Sequence, residues 1–503
     1  MLTSQTIHNK PVSNIDFFKP SLWALILLIL LTQACKKSSD TTPAPVTLPV
    51  LSTTAVTDIS STGATSGGNI TSEGSSPVTS RGVVWGTSSN PTIVLPTKTS
   101  DGSGSGIFTS NLTGLTSGAR YYVRAYATSS SGTAYGNEQT FTATAIVQND
   151  IPVLDGKIAA FMSTYNIPGA SLAVSKNGKL VYMKGYGFAD QGASTYVTPA
   201  YRFRLASVTK TYTGVAIMKL FQEGKLDLDG KVFGAGSILG TDFGTPPYNP
   251  NLTAITVRML LQHITGAWGA ATGGDVIDQN PAFTNKQQLD WIIDTRPMPD
   301  APGSVFDYSN INYFILGRII EKITGQTYYD YIHSIMTLIG ATDTEAADKT
   351  LAERKPLEVV YYGQGTDAPY VYNIAFPRRD ADAGLIATAK DLLKLITAVD
   401  GFNTRPDILN ASTITQFITP SSVFSGYACG IGIWSAQNLW FNDGSLPGTR
   451  SWFMRHDNGM CVAILLNSRP DVDPGNAFAY AFQALELDIV TNASYSWQDI
   501  DQF

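Results

Sequence analysis

The chain has 503 residues, with 34 Lys+Arg against 40 Asp+Glu and a formal net charge of −6. That length allows roughly two to four domains, and the acidic balance excludes a protein built to neutralise a phosphate backbone, which needs a dense basic face. A hydrophobic content of 43% excludes wholesale disorder, three cysteines exclude a disulfide-dense scaffold, four histidines leave little for a zinc centre, and the charged fraction of 15% is low.

In chain order the first feature is the apolar run Leu22–Leu31, preceded by Lys10 and Lys19. Ten residues rise about 15 Å as a helix, half of a bilayer core, so the run reads as a signal-peptide h-region rather than a span. It ends in Thr32-Gln33-Ala34-Cys35. A small residue before a cysteine at this place resembles a bacterial lipobox, although Thr32 stands where that pattern has Leu. The resemblance implies a signal peptide over 1–34, lipidation at Cys35 and a bacterial cell-envelope protein anchored on a membrane surface. Ordinary secretion with a bystander cysteine is the alternative.

A Pro/Thr-rich tether follows, covering 35–49 with the cysteine. Residues 41–145 hold 8 charged side chains in 105 positions, whereas 146–503 hold 60 in 358, so the low average has a local source. Short alternating runs such as Gly82–Gly86 and Tyr121–Ala127, separated by turn residues, predict an antiparallel β-sandwich over 50–145. Leu112-Thr113-Gly114-Leu115 followed by Tyr121–Ala125 resembles the second half of a fibronectin type III-like module, with Tyr121 a candidate for a tyrosine corner. Asp101–Gly106 is Gly-rich but lacks the Gly-Lys-Ser/Thr ending of a phosphate cradle and reads as a hairpin loop. No catalytic grouping appears in this block.

From about 149 to 495 the pattern turns α/β. A helix is predicted over Val153–Tyr165. A hairpin of Ala170–Lys176 and Lys179–Tyr186 then turns at Asn177-Gly178. Ser207-Val208-Thr209-Lys210 opens an amphipathic helix that Gly224 stops. Serine in a first helical turn has the Lys at i+3 on the same face, and the helix N-terminus favours an oxyanion. Asp307-Tyr308-Ser309-Asn310 lies before a helix over Ile311–Thr324. In this role Tyr-x-Asn pairs a phenol for proton transfer with an amide that holds a substrate carbonyl; Tyr135-Gly136-Asn137 shows how common the bare pattern is. Asn442-Asp443-Gly444-Ser445 precedes strand-like runs Thr449–His456 and Met460–Asn467, and a strand glycine admits a following N–H to a substrate.

Serine, Tyr-x-Asn and a strand glycine in this order resemble the serine β-lactamase and penicillin-binding-protein superfamily, nearest to class C β-lactamases, DD-peptidases and related esterases. Leu260–Gly266, Phe306–Asn310 and Ala383–Asp391 support the likeness. It implies an antiparallel sheet flanked by helices, with an all-helical subdomain inserted between Ser207 and the last strands. Ser207 would be the acylated nucleophile, Lys210 its proton partner and Tyr308 the proton shuttle. Asn310 would position the acyl group, and the Ser207 and Ser445 amides would form the oxyanion hole. No metal or organic cofactor is implied, nor nucleic acid.

The third motif departs from the pattern: Asn442-Asp443-Gly444 replaces a cation, Thr or Asn, and Gly. Asp443 would repel a substrate carboxylate unless Arg450 restores the cation. This shifts the expected substrate toward esters, peptides or cell-wall-derived amides with charge elsewhere. A catalytically quiet surface binding protein that retains the pocket is the alternative. His263 reads as a packing histidine. Cys429 and Cys461 are either oxidisable or two small buried hydrophobes, and Trp268 is either pocket wall or core.

Overall fold

A computed structural model describes residues 45–61, 63–145, 148–266 and 275–503. Cys35 with its apolar run, and Trp268 with its Gly/Ala-rich surroundings, lie outside the described residues. No helix among the described residues is long and apolar enough to cross a membrane.

The low-charge block forms two antiparallel sheets. One is ordered Val50–Thr53, Gly63–Ser72, Gly106–Thr113. In the other, Arg120–Ser129 is central, with Val78–Gly86 on one edge and both Gly132–Tyr135 and Gln139–Thr142 on the other. Alternation does the sorting: Gly106–Thr113 buries Phe108, Ser110 and Leu112 and exposes the residues between them. The buried side chains of both sheets, among them Val83, Trp85, Phe108, Leu112, Val123 and Ala125, share one core. Tyr121 Oη accepts from the Thr116 N–H at 2.9 Å, the local bond of a tyrosine corner. The Gly-rich loop has its Asp101, Gly104 and Ser105 carbonyls held by the Arg81 guanidinium, which leaves nothing like a phosphate cradle.

The larger part is built on a seven-stranded antiparallel sheet in the order Thr195–Tyr196, Lys179–Asp190, Gly169–Lys176, Met460–Leu466, Thr449–His456, Leu439–Leu446, Gly432–Trp434. Strands far apart in sequence meet at its centre, where Gly169–Lys176 pairs with Met460–Leu466. The predicted hairpin forms, and both Asn177 and Gly178 carry positive φ, as the turn type for two-residue loops requires. Helices Pro152–Thr164 and Ala477–Thr491 cover one face through Leu154, Ile158, Phe478, Phe482 and Ile489. The other face packs on Ala389–Thr397 and Thr209–Gln222, whose apolar residues belong to a second, larger core.

Thr209–Gln222 is buried on nearly every side, so it acts as the hub of the molecule. Asn310–Thr324, Tyr328–Leu338 and Ala411–Ile418 pack on it, and Val257–Leu261 packs in turn on Asn310–Thr324. The inserted region is not all-helical, which corrects the expectation. Leu385–Ala387 pairs with Phe203–Arg204 on one side and with Glu345–Ala346 on the other. This three-stranded sheet anchors the chain just before Ser207. Such short strands have no alternation long enough to read from sequence.

Candidate active site

The chain reaches Ser207 from the strand Phe203–Arg204 through Leu205 and Ala206. Ala206 is buried at φ 47°, a left-handed conformation that costs an alanine about 1–3 kcal/mol and persists only when its surroundings dictate it. Those surroundings come from the sheet: Thr449 Oγ1 donates to Arg204 O at 3.1 Å, and Ser451 Oγ donates to Leu205 O. Ser207 then sits in a single 3₁₀ turn, Ala206–Val208, that runs into the hub helix.

One turn on, Lys210 is completely buried, with Nζ 3.1 Å from Ser207 Oγ. Nζ also donates to the Asp382 carbonyl at 3.0 Å and lies 5.0 Å from the Tyr308 ring centre and 5.8 Å from that of Tyr313. Tyr308 precedes the helix Asn310–Thr324 and stays 43% exposed, facing the same cavity as Ser207. Its ring rests on His263 at 4.4 Å, and the edge of Tyr427 stands 5.9 Å away. His263 is a packing group: Nδ1 accepts from the Ser309 N–H at 3.2 Å, and burial, with Lys210 nearby, holds its pKa well below the usual imidazole value. Neutral imidazole serves here as a platform for Tyr308, and its Nε2 has no partner.

The strand Leu439–Leu446 closes the site. A Cβ on Gly444 would lie 2.1 Å from Leu205 O, 2.4 Å from Ser451 Oγ and 3.0 Å from Ser207 N, so only glycine lets this strand approach Ser207. Its register fixes where the amides point. The two-residue connection Pro447-Gly448 closes on the pair Leu446/Thr449, so Gly444/Ser451 and Asn442/Phe453 exchange hydrogen bonds while the alternate residues Asp443 and Ser445 turn their N–H to the opposite edge. The Asp443 N–H is taken by Asn442 Oδ1 at 2.8 Å. The Ser445 N–H faces the Ser207 side of the strand.

Ser207, Tyr308, Asn442, Asp443 and Ser445 thus line one cavity of about 360 Å³, together with Gly426, Tyr427, Gly432 and Phe441. The other expected residues fall differently. Asn442 is a tie: Nδ2 donates to Thr211 Oγ1 at 2.9 Å, Gly430 O at 3.0 Å and Ser207 O at 3.2 Å, leaving it no donor for a substrate. Asn310 donates one of its two Nδ2 hydrogens to Asp275, its Oδ1 is buried and unpartnered, and the second Nδ2 hydrogen is left for a substrate carbonyl.

Arg450 does not supply the missing cation. It lies on the far face of the sheet beside Trp452, and its Nη2 pairs with Asp443 at 2.8 Å. Beneath it, Glu486 of Ala477–Thr491 is fully buried; desolvation pushes its carboxyl well above the usual range, with Arg450 pulling against that and Asp443 adding to it. Among the described residues lining the cavity, the one ionisable carboxylate is therefore already paired, and no Lys or Arg faces a ligand.

Sequence reasoning missed Asp275, Arg379 and Asp382, which meet behind Asn310 and Lys210, and Thr211 and Gly430, which hold Asn442. Asp382 sits one residue before the Ala383–Asp391 segment already singled out, so a signal lay beside it. Asp275 carried none. Cys429 and Cys461 are both free and buried, with burial pushing each thiol up to about 12.

A family model described as Beta-lactamase matches residues 154–486. The chain belongs to the β-lactamase family. Protein flp of Staphylococcus aureus (strain MRSA252) is 34% identical over 316 residues, which is 60% of each chain. A putative penicillin-binding protein, PbpX, of Bacillus subtilis (strain 168) is 27% identical over 316 residues, 62% of this chain and 73% of that protein. The chain thus spans about 60% of the length of the flp proteins it matches. Among solved structures, the octameric penicillin-binding protein homologue from Pyrococcus abyssi superposes with a TM-score of 0.53 at 25% identity, over 68% of this chain and 77% of that one. D-amino acid amidase from Ochrobactrum anthropi SV3, complexed with L-phenylalanine amide, superposes with a TM-score of 0.55 at 21% identity, over 68% of this chain and 100% of that one, which shows a shared fold. This β-lactamase-family domain carries the Ser207 cavity on the edge of its main sheet.

Proposed function

We propose that the protein is a serine hydrolase that forms an acyl-enzyme on Ser207 with an uncharged or non-carboxylate ester, amide or peptide. The observation that carries this is the buried Lys210 amine, 3.1 Å from Ser207 Oγ at the cavity that Tyr308 and Ser445 also line. Ser207 Oγ attacks the acyl carbon and passes its proton to the Lys210–Tyr308 pair. Negative charge grows on the carbonyl oxygen beside the Ser207 and Ser445 N–H groups, and Tyr308 returns a proton to the leaving group. Water then releases the acyl group by the same route in reverse.

The choice of substrate rests on charge. With Arg450 tied to Asp443 behind the strand and the aromatic groups Tyr308, Tyr427 and Phe441 in the cavity, the site favours an apolar acyl group and offers no partner to a carboxylate. Export with lipid attachment at Cys35, and a fibronectin type III-like spacer over 50–145 that holds the hydrolase away from the membrane, complete the reading. A catalytically quiet binding protein remains the second reading, favoured by the Asn442-Asp443 replacement.

A fluorescent penicillin and a panel of chromogenic short-chain esters separate the two. We expect covalent labelling, ester turnover, or both, with Ser207→Ala lowering turnover about 10³-fold or more. Neither label nor turnover in the wild type would overturn the hydrolase reading, and turnover that survives Ser207→Ala would remove Ser207 as nucleophile.

A further inference from the structure

Behind the cavity wall one guanidinium touches three carboxylates. Arg379, 4% exposed in its side chain, places Nη1 2.8 Å from Asp382, Nη2 2.8 Å from Asp275 and 2.6 Å from Asp278. Nε adds a second bond to Asp278 at 3.0 Å. Two of these partners reach the reaction site. Asp275 accepts the amide N–H of Asn310 on the same oxygen, Oδ2, that receives Arg379. Asp382, completely buried, holds Lys210 Nζ on its backbone carbonyl at 3.0 Å.

Burying the Arg379 guanidinium and the Asp382 carboxylate costs hydration, and packed apolar side chains would fill such a space at lower cost. What the arrangement supplies is geometry. A guanidinium is a rigid planar fork whose donors fix several acceptors at once, which Lys or Met cannot do. A carboxylate only accepts, so Asp275 also dictates which end of the Asn310 amide faces it.

We propose that Arg379 is the positioning residue of this hydrolytic site, setting the Asn310 amide through Asp275 and the Lys210 amine through Asp382 as one rigid unit. The inference rests on the reading of Ser207 as nucleophile. Arg379 touches no substrate and acts through its two partners. Asn310 and Lys210 sit on different helices, and without the fork each carboxylate would reorient independently; a displacement of about 1 Å in such groups costs on the order of 100-fold in rate.

The electrostatics provide a second readout. Asp382 faces Arg379, Lys210, Asp275 and Asp278, with Tyr328 and Tyr329 also sensing its charge. Burial raises its carboxyl to about 7, while Arg379, and after it Lys210, holds it down. Loss of the guanidinium therefore raises it further, and the acid limb of the rate profile moves to higher pH.

The test is steady-state ester hydrolysis by the full protein and its Arg379→Met, Arg379→Lys and Asp275→Asn variants, with folding checked by circular dichroism. We expect Arg379→Met to lower kcat about 30-fold or more with KM within threefold, and to move the acid limb up by about one pH unit. Arg379→Lys should recover the position of the limb but not kcat, because it restores charge without the fork. Asp275→Asn leaves Arg379 bound to Asp278 and Asp382, frees the Asn310 amide to flip, and should lower kcat about 10-fold; it carries the test if Arg379→Met does not fold. An active wild type with folded variants whose kcat stays within threefold and whose limb does not move overturns the positioning role alone. A wild type inert on every ester overturns both this role and the hydrolase reading.

Discussion

Gly444 shows how much of the site depends on a missing atom. The strand must press its backbone against Leu205 and Ser207 for the Ser445 N–H to stand on the Ser207 side, and a Cβ would fall 2.1 Å from Leu205 O. That carbonyl is itself held by Ser451, and the residue after it, Ala206, is held at positive φ, so neither neighbour can retreat cheaply. Gly444→Ala should therefore lower ester kcat/KM by about 10²-fold, comparable with loss of an oxyanion donor, and cost about 1–3 kcal/mol of stability. Parallel assays of hydrolysis and urea unfolding would check this, and full activity in the variant would show that the strand need not approach so closely. Asn442 is the converse case. Read in the motif as a substrate contact, it spends all its polar atoms on Ser207 O, Thr211, Gly430 and the Asp443 N–H. Motif position revealed that the residue mattered, but the direction of its amide depends on where a loop 12 residues away in sequence folds back.

At the scale of elements, the helix Ala389–Thr397 and the turns on either side of it hold several buried acids. Asp382 is raised to about 7, Asp391 to about 6 and Asp400 to about 7, each with burial as the leading cause. A carboxyl with a folded-state pKa above its unfolded value binds more protons in the native state, so stability falls as pH rises from about 4 to 7. Two lowered groups act the other way: Asp155, held down by Lys184 and two tyrosines against its own desolvation, only as pH falls below about 4, and the buried His263 as pH falls below about 6.5, where it opposes three raised acids. We expect the urea midpoint to be higher at pH 5 than at pH 8, and Asp400→Asn to flatten that difference; a midpoint that rises between pH 5 and 8 would contradict the burial account. The elements themselves were largely legible: the Asn177-Gly178 hairpin, the hub helix stopped at Gly224 and the pair Thr449–His456 and Met460–Leu466 stand within a few residues of where periodicity and turn residues placed them. The short strands Phe203–Arg204, Glu345–Ala346 and Leu385–Ala387 were not, because two or three residues carry no period.

At the scale of the whole molecule, the uneven charge of the chain corresponds to separate cores. The low-charge block closes its own apolar interior around Trp85 and Val123, while the β-lactamase-family domain packs its sheet between two others. A Ser/Thr-rich surface with few charges suits a spacer, and a spacer has a purpose when the chain is tethered. The proposed lipid anchor is therefore tested on the intact protein made in bacterial cells: incorporation of a clickable fatty acid should be strong in the wild type and absent in Cys35→Ala. A wild type that never takes up the label would leave ordinary secretion as the account of the apolar run.

Composition, periodicity and motif order determined the class of the larger domain and marked Ser207, Lys210 and Tyr308 as candidates, because these depend on local spacing along a helix or strand. The tertiary structure decided what those residues face. It turned Arg450 behind the sheet onto Asp443, turned the amide of Asn442 away from a substrate, tied one hydrogen of the Asn310 amide to Asp275, and brought Asp275, Arg379 and Asp382 together behind the site. The physical reason is the same in each case: a long or polar side chain goes where its charge or hydrogen bonds are satisfied, and those partners come from segments distant in sequence.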